Sequence, residues 1–200
     1  MLMKVRVKIC GITNRNDAYA AADLGAAAVG FVFYRGSRRY ISYEEARQIA
    51  QKLPPFIVKV GVFVNATVEE ILAAKEFCLL DKVQLHGNSG NGIYLPEGVS
   101  IVAYRIRNEK DVEKARRSRS FPLLDSGVGR GYGGTGKAFD WRLLENFDRP
   151  YILAGGISVE NIDEAIALNP YAIDLASGVE ESPGFKDHDV MRTLFAKINR

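Results

Sequence analysis

The sequence predicts an α/β protein of the (β/α)8 class, a TIM barrel formed by residues 1–200 as one domain. Short apolar runs alternate with helical patterns along the whole chain, which is typical of a parallel sheet covered by helices. Eight such runs occur without an intervening linker, and eight strand–helix units favour a closed barrel over an open doubly wound sheet. The predicted strands are residues 5–10, 28–34, 57–64, 82–86, 100–106, 121–125, 150–154 and 171–176.

The composition is that of an ordinary globular protein. The 200 residues can bury a large core, and 47% hydrophobic and 26% charged residues are usual values. A net charge of +3 is too small to predict binding to nucleic acid or to an anionic membrane. The sequence shows neither a secretory signal nor an apolar run of transmembrane length, so we expect a soluble, cytoplasmic enzyme or small-molecule binder.

The first strand predicts a reactive thiol. Residues 5–10 alternate apolar and polar side chains, which places Lys8 and Cys10 on the same face, and Gly11 then lets the backbone turn away. Chemistry in parallel α/β folds lies at the carboxyl ends of the strands. Most cysteines are simply small buried hydrophobes. A nearby cation, however, lowers the pKa of a thiol, and we expect Asp174 on strand eight to pair with Lys8 and keep it charged beneath Cys10.

Recognisable start signals precede the helices that follow the strands. Ser42 with Glu45 and Thr67 with Glu70 form capping boxes, in which two side chains satisfy free backbone N–H groups. Further predicted N-caps are Asn108, Ser158 and Asp187.

One unit departs from the pattern. Residues 88–98 contain three glycines, two asparagines and a proline, which oppose a helix. We therefore expect the fourth helix of the barrel to be short or replaced by a loop.

Strand six ends in a carboxylate, Asp125, and six glycines follow between residues 127 and 136. An Asp at a strand end is often only a turn cap, but here a glycine-rich loop rather than a helix follows. A carboxyl group at the rim of an apolar barrel can remain protonated and serve as an acid. Because strands one and six lie on different sides of an eight-stranded barrel, we expect Cys10 and Asp125 to flank a substrate.

The last two strands end in sequences typical of phosphate sites. Strand seven leads into Gly155 and Gly156, and strand eight leads into Ser177 and Gly178. Exposed backbone N–H groups bind phosphate, and phosphate-binding barrels place the anion after strands seven and eight. A substrate that carries a phosphate is therefore predicted.

Three further side chains are candidate substrate contacts: Arg39 in a basic loop after strand two, His86 at the end of strand four, and Asp174. Arginine could hold a second anion through two parallel hydrogen bonds, although a charged loop is usually just solvated. No second histidine or carboxylate stands at metal-ligand spacing from His86, so His86 is predicted to be a ligand contact and no metal site is predicted. His188 is expected to be solvated at a helix start, and Cys78 to be a buried, inert thiol.

Eight short motifs in register resemble the phosphoribosylanthranilate isomerase family and span nearly the whole chain. They are KICGIT (8–13), GFVF (30–33), SRRY (37–40), QLHG (84–87), GGTGK (133–137), FDW (139–141), AGG (154–156) and SGVE (177–180). The resemblance implies an Amadori rearrangement of N-(5-phosphoribosyl)anthranilate to 1-(2-carboxyphenylamino)-1-deoxyribulose 5-phosphate in tryptophan biosynthesis, with neither metal nor organic cofactor. The implied partner is this small-molecule substrate, and the protein could be a monomer or a homodimer.

The same resemblance assigns roles to matching positions. Cys10 corresponds to the general base, Asp125 to the general acid, and Arg39 to the residue that holds the anthranilate carboxylate. The phosphate loops of the family correspond to positions that include Gly155, Gly156, Ser177 and Gly178. The strand ends predict the same phosphate-binding role for these residues. The sequence departs from the family pattern at two places. Ala176 stands where the family often has serine, and the glycine-rich segment 88–98 stands in place of the usual fourth helix.

Other phosphate-binding barrels are the alternatives. A ribulose-phosphate epimerase would bring His and Asp metal clusters, an indole-glycerol-phosphate synthase a Lys–Glu set, and a histidine-pathway aminoaldose isomerase paired aspartates. A non-catalytic binding barrel is a different class of protein, against which the presence of both Cys10 and Asp125 argues.

Overall fold

The computed structural model describes residues 5–87, 95, 98–126 and 138–199 and confirms the predicted closed barrel. Eight parallel strands pair in sequence order, and β8 pairs with β1 to close the sheet. The ends of the observed strands differ from the predicted ends by at most two residues. The strands are β1 Arg6–Cys10, β2 Ala28–Val32, β3 Val58–Val64, β4 Lys82–His86, β5 Ser100–Ile106, β6 Phe121–Ser126, β7 Ile152–Ala154 and β8 Ala172–Leu175.

Helices cover the outside of the barrel, and a small hairpin follows β8. The helices of the described residues are α1 Arg15–Asp23, α2 Tyr43–Ala50, α3 Val68–Phe77, α4 Glu109–Arg116, α5 Ile162–Ala167 and α6 His188–Ile198. Short 3-10 turns occupy Trp141–Leu144 and Ser177–Val179, and the hairpin consists of β9 Glu180–Ser182 and β10 Phe185–Lys186. No helix in the described part of the chain combines the length and the apolar character needed to cross a membrane.

Four of the five predicted helix starts are confirmed, and one is wrong. Both capping boxes form, and the side chains of Asn108 and Asp187 accept hydrogen bonds from the first turns of α4 and α6. Ser158 does not cap α5, which begins four residues later. Its backbone N–H instead donates to Oδ1 of Asn161 at 2.9 Å, because the chain makes a turn before the helix begins.

Two loop predictions lie outside the described residues. They are the loop or short helix over 88–98, of which Leu95 and Gly98 are described, and the glycine-rich loop after Asp125.

The strand register decides which side chains fill the barrel. Apolar side chains from β3, β5, β6, β7 and β8 form a plug in the lower lumen: Val60, Ile101, Leu123, Ile152, Ala154 and Ala172. Toward the carboxyl ends, Cys10 packs with Val32 and Val62 in a separate small cluster. A larger apolar layer lies between the outer face of the strands and the helices. Polar side chains inside the barrel, such as those of Lys8, Gln84 and Asp174, contact one another apart from this apolar cluster.

Candidate active site

A cavity opens at the carboxyl ends of the strands and contains about 790 Å³ of space, counted out to its open mouth. All nine site residues proposed from the sequence line it: Cys10, Arg39, His86, Asp125, Gly155, Gly156, Asp174, Ser177 and Gly178. The barrel thus gathers residues that are up to 168 positions apart in the chain around one opening.

Cys10 is the last residue of β1, and its side chain is buried next to the backbone of β2. Gly30 lies opposite in the register, and a Cβ there would stand 2.8 Å from Cys10 Sγ. The close approach of the sulfur therefore requires glycine at position 30.

The expected lowering of the thiol pKa is wrong for the unliganded protein. Burial raises the pKa of Cys10, the carboxylate of Asp174 raises it further, and the opposing effects of Lys8 and Lys186 are smaller. The prediction counted Asp174 only as the partner that keeps Lys8 charged, and it left out burial and the direct repulsion between Asp174 and a thiolate. Cys10 is therefore a thiol before substrate binds, and its thiolate is a minor form that is correspondingly basic.

The predicted pairing of Lys8 with Asp174 is confirmed. Lys8 Nζ lies 2.9 Å from both carboxylate oxygens of Asp174 and also donates to Oε1 of Gln84 at 2.9 Å. Burial acts to lower the pKa of Lys8, but Asp174 and Cys10 outweigh it and the pKa is raised. Lys8 is therefore a permanent cation below the site.

His86 continues this chain of hydrogen bonds into the cavity. The Gln84 amide oxygen accepts from Lys8, so its Nε2 is the atom that faces Nε2 of His86, at 2.8 Å. An amide nitrogen can only donate, so His86 Nε2 accepts and its proton resides on Nδ1. Burial and the charges of Lys8 and Arg105 lower the pKa of His86 to about 4. His86 is therefore a neutral ring at physiological pH.

Asp125 on β6 has the properties of a weak acid. Burial and the nearby carboxylate of Asp174 raise its pKa to about 6, although the backbone of Ser126, Arg105 and Lys8 favour the ionised form. At neutral pH a significant fraction of Asp125 therefore keeps its proton. A carboxyl group with a pKa near the operating pH is suited to general acid catalysis.

The loops after β7 and β8 pack against each other and against Asp125. Gly155 has a φ of +85°, and a Cβ at this position would collide with Asp125 Oδ1 and the backbone of Ser126. A Cβ on Gly178 would overlap the carbonyl oxygen of Ile157 in the neighbouring loop. Both glycines are thus required for the close packing that forms this rim.

Arg39 reaches the cavity from the loop after β2 and is already bound to an acidic residue. Its Nε lies 2.9 and 3.1 Å from the two carboxylate oxygens of Glu180, and its Nη2 lies 2.6 Å from Oε2. Glu180 in turn binds the ammonium group of Lys186 at 2.8 Å. Glu180 and Lys186 are not among the site residues predicted from the sequence. The SGVE motif includes Glu180 and was the only sequence signal for either residue. Local periodicity does not indicate an ion pair between residues that are far apart in the chain.

Cys78 and His188 do not line the cavity. Cys78 is fully buried at the end of α3, and burial raises its pKa to about 11, so the prediction of an inert thiol is confirmed. His188 was expected to be solvated, but its ring contacts a carboxylate. Its Nε2 lies 2.8 Å from Oδ1 of Asp17, because the start of α6 packs beside the start of α1.

Comparison with known proteins gives a consistent result. The family model for N-(5'phosphoribosyl)anthranilate (PRA) isomerase matches residues 7–197. The chain is 46% identical to N-(5'-phosphoribosyl)anthranilate isomerase of Thermotoga maritima over 200 residues, which cover 96% of this chain and 97% of that protein. It is 44% identical to the Acidithiobacillus ferrooxidans protein of the same name, with 97% of each chain covered.

Solved structures agree with the sequence relatives. The crystal structure of the Thermotoga maritima isomerase superimposes with a TM-score of 0.86 and 43% identity, covering 98% of both chains. A phosphoribosyl anthranilate isomerase in complex with reduced 1-(o-carboxyphenylamino)-1-deoxyribulose 5-phosphate gives a TM-score of 0.82 at 40% identity, again with 98% of both chains covered.

Proposed function

The chain belongs to the N-(5'-phosphoribosyl)anthranilate isomerase family, and on that basis we propose that Cys10 and Asp125 catalyse its isomerisation reaction. The reaction is the Amadori rearrangement of N-(5-phosphoribosyl)anthranilate to 1-(2-carboxyphenylamino)-1-deoxyribulose 5-phosphate, a step of tryptophan biosynthesis. The observation that carries the assignment is that Cys10 and Asp125 line one cavity from β1 and β6. A small sugar between them would present one atom to the acid and another to the base.

Asp125 acts first, as the general acid. It donates its proton to the ring oxygen of the furanose, and the ring opens to a Schiff base between the anthranilate nitrogen and C1 of the sugar. The raised pKa of Asp125, about 6, supports this role because the carboxyl group can hold a proton near neutral pH.

Cys10 acts second, as the general base. Its thiolate takes the proton from C2 of the sugar, and the electrons of the broken C–H bond neutralise the iminium nitrogen to give an enolamine. The enolamine then tautomerises to the ketone product. The cations of Lys8 and Lys186 favour the thiolate, and its raised pKa makes it a stronger base once formed.

The two anionic ends of the substrate match two parts of the rim. The phosphate would bind the backbone of the β7 and β8 loops at Gly155, Gly156, Ser177 and Gly178, and the aryl carboxylate would bind Arg39. Because Nε and Nη2 of Arg39 contact Glu180, the Nη1 and Nη2 edge of the guanidinium is the one that faces the ligand carboxylate. Holding both ends keeps the flexible open-chain intermediate in a reactive geometry.

Turnover of phosphoribosylanthranilate generated in situ tests the assignment. We expect Cys10→Ser and Asp125→Asn each to lower kcat by about 10²–10⁴-fold, the usual contribution of a positioned base or acid. Matched controls are Cys78→Ser, which changes the buried cysteine directly after α3, and Asp163→Asn, which changes a surface carboxylate paired with Lys197. Wild-type activity in either Cys10→Ser or Asp125→Asn would overturn the assigned role of that residue.

A further inference from the structure

The hairpin β9–β10 fastens the segment after β8 to the end of β1. Oγ1 of Thr13 donates to the carbonyl oxygen of Gly184 at 2.5 Å, and the backbone N–H of Lys186 donates to Oδ2 of Asp17 at 2.9 Å. These two tethers hold the hairpin against the loop after β1 and the start of α1. The hairpin therefore has a fixed position relative to Cys10.

The hairpin carries two buried charges that the proposed reaction steps do not use. The side chain of Lys186 is completely buried, and that of Glu180 is 4% exposed. The three protons of the ammonium group reach three oxygens: Oε1 of Glu180 at 2.8 Å, the carbonyl of Cys10 at 2.6 Å and the carbonyl of Ala176 at 3.4 Å. Lys186 thus joins the ends of β1 and β8 through their main chains.

Glu180 connects this lysine to the arginine in the loop after β2. Its carboxylate accepts hydrogen bonds from Nε and Nη2 of Arg39 on one side and from Lys186 on the other. Three buried or nearly buried ionic groups therefore form a continuous path from the guanidinium of Arg39 to the peptide carbonyl of Cys10. Buried ion pairs add little to stability compared with apolar packing of similar volume, so stability alone does not account for these charges.

We propose that Glu180 and Lys186 are positioning residues, which fix the guanidinium of Arg39 and the main chain of Cys10 at one spacing relative to each other. This inference rests on the proposed roles of Cys10 and Arg39. Glu180 binds the side edge of the guanidinium and so directs its end edge into the cavity. Lys186 holds the carbonyl of Cys10 and so limits movement of the residue that carries the thiol. The substrate spans the same distance, with its aryl carboxylate at Arg39 and its C2 proton at Cys10.

Glu180→Gln tests the arginine half of the proposal. We expect KM for phosphoribosylanthranilate to rise by at least about tenfold while kcat changes by less than about threefold, the pattern of lost uniform binding. The second substrate is the analogue made by condensing aniline with ribose 5-phosphate, which lacks the carboxylate. The preference of kcat/KM for the carboxylated substrate should fall about tenfold, whereas general damage to the fold would lower both values alike.

Lys186→Met tests the cysteine half. We expect kcat to fall at least about tenfold with KM within about threefold of wild type, and Lys186→Arg, which keeps the cation, to recover part of the loss. The charged groups that act on the thiol are Lys8, Asp174 and Lys186, so removing one cation should move the iodoacetamide alkylation profile of Cys10 to higher pH. Alkylation is measured in the Cys78→Ala background. Lys197→Met, which breaks a surface pair with Asp163, is the control and should change none of these values.

The outcomes separate this inference from the proposed function. If Cys10→Ser and Asp125→Asn lose activity but Glu180→Gln keeps its substrate preference and Lys186→Met keeps its kcat, the positioning role is wrong and the proposed function stands. If Cys10→Ser keeps wild-type activity, the catalytic role proposed for Cys10 fails, and the positioning of its main chain loses its purpose with it. Should Lys186→Met not fold, the substrate preference of Glu180→Gln decides the inference.

Discussion

Replacing Asp125 with Asn is expected to make the reaction strongly pH-dependent between about pH 7 and 8.5, where the wild-type protein should be insensitive to pH. The productive form needs a proton on Asp125 and none on Cys10. Burial raises the pKa of Asp125 to about 6 and raises that of Cys10 above its ordinary value of 9.0. The base therefore holds its proton more tightly than the acid does.

The size of the effect follows from these two pKa values. Between them, each rise of one pH unit lowers the protonated fraction of Asp125 about tenfold and raises the thiolate fraction of Cys10 about tenfold, so the product is constant. Because the base holds its proton more tightly than the acid does, only a small fraction of the free molecules is in the productive form at any pH. In Asp125→Asn the thiolate fraction alone varies, and kcat/KM should rise about tenfold per pH unit.

The assay follows the fluorescence of the anthranilate sugar during turnover of substrate generated in situ. The ratio of wild-type to Asp125→Asn kcat/KM should fall about 30-fold from pH 7 to 8.5. Lower pH is avoided because the substrate phosphate loses its last proton near pH 6, at about the pKa of a phosphate monoester. Asp163→Asn is the control and should keep the flat profile of wild type. Parallel profiles for wild type and Asp125→Asn would refute the reasoning.

Three further changes test the surroundings of the site. Lys8→Met should leave the Asp174 carboxylate buried without its cation and lower the free energy of unfolding by about 3–5 kcal/mol, measured with urea; a loss below about 1 kcal/mol would contradict the importance of the pair. Gly178→Ala should raise KM for the phosphorylated substrate, because the new Cβ overlaps the carbonyl of Ile157 and separates the two loops; an unchanged KM would show that the rim tolerates this movement. Ser42→Ala should cost about 1 kcal/mol through the lost cap, seen in thermal unfolding, with activity retained.

The position of Cys10 could be predicted because the period of a β-strand fixes which side chains share a face, and that of Asp125 because an apolar strand ends there. Residues 5–10 alternate cleanly, and this parity correctly placed Lys8 and Cys10 in the barrel. The pairing of Lys8 with Asp174 followed from the same parity, because β1 and β8 are neighbours once the barrel closes.

The electrostatics of the site could not be predicted in the same way. The pKa of Cys10 depends on the balance between burial, one carboxylate and two cations, and a prediction from the cation of Lys8 alone gives the wrong direction. Glu180 and Lys186 become buried only because a hairpin packs on the end of β1, and nothing in their neighbouring residues indicates burial. Serine is a common helix N-cap, but here the backbone N–H of Ser158 donates to Asn161 in a turn. The helix α5 therefore begins only after that turn, at Ile162.

A crystal structure with the reduced ketose product bound would test the central claim most directly. We expect Cys10 Sγ on one side of the sugar, in contact with C2. We expect a carboxylate oxygen of Asp125 on the other side, within about 3 Å of the oxygen released by ring opening. A ligand that places C2 out of reach of the sulfur, or that contacts both side chains with the same sugar atom, would contradict it.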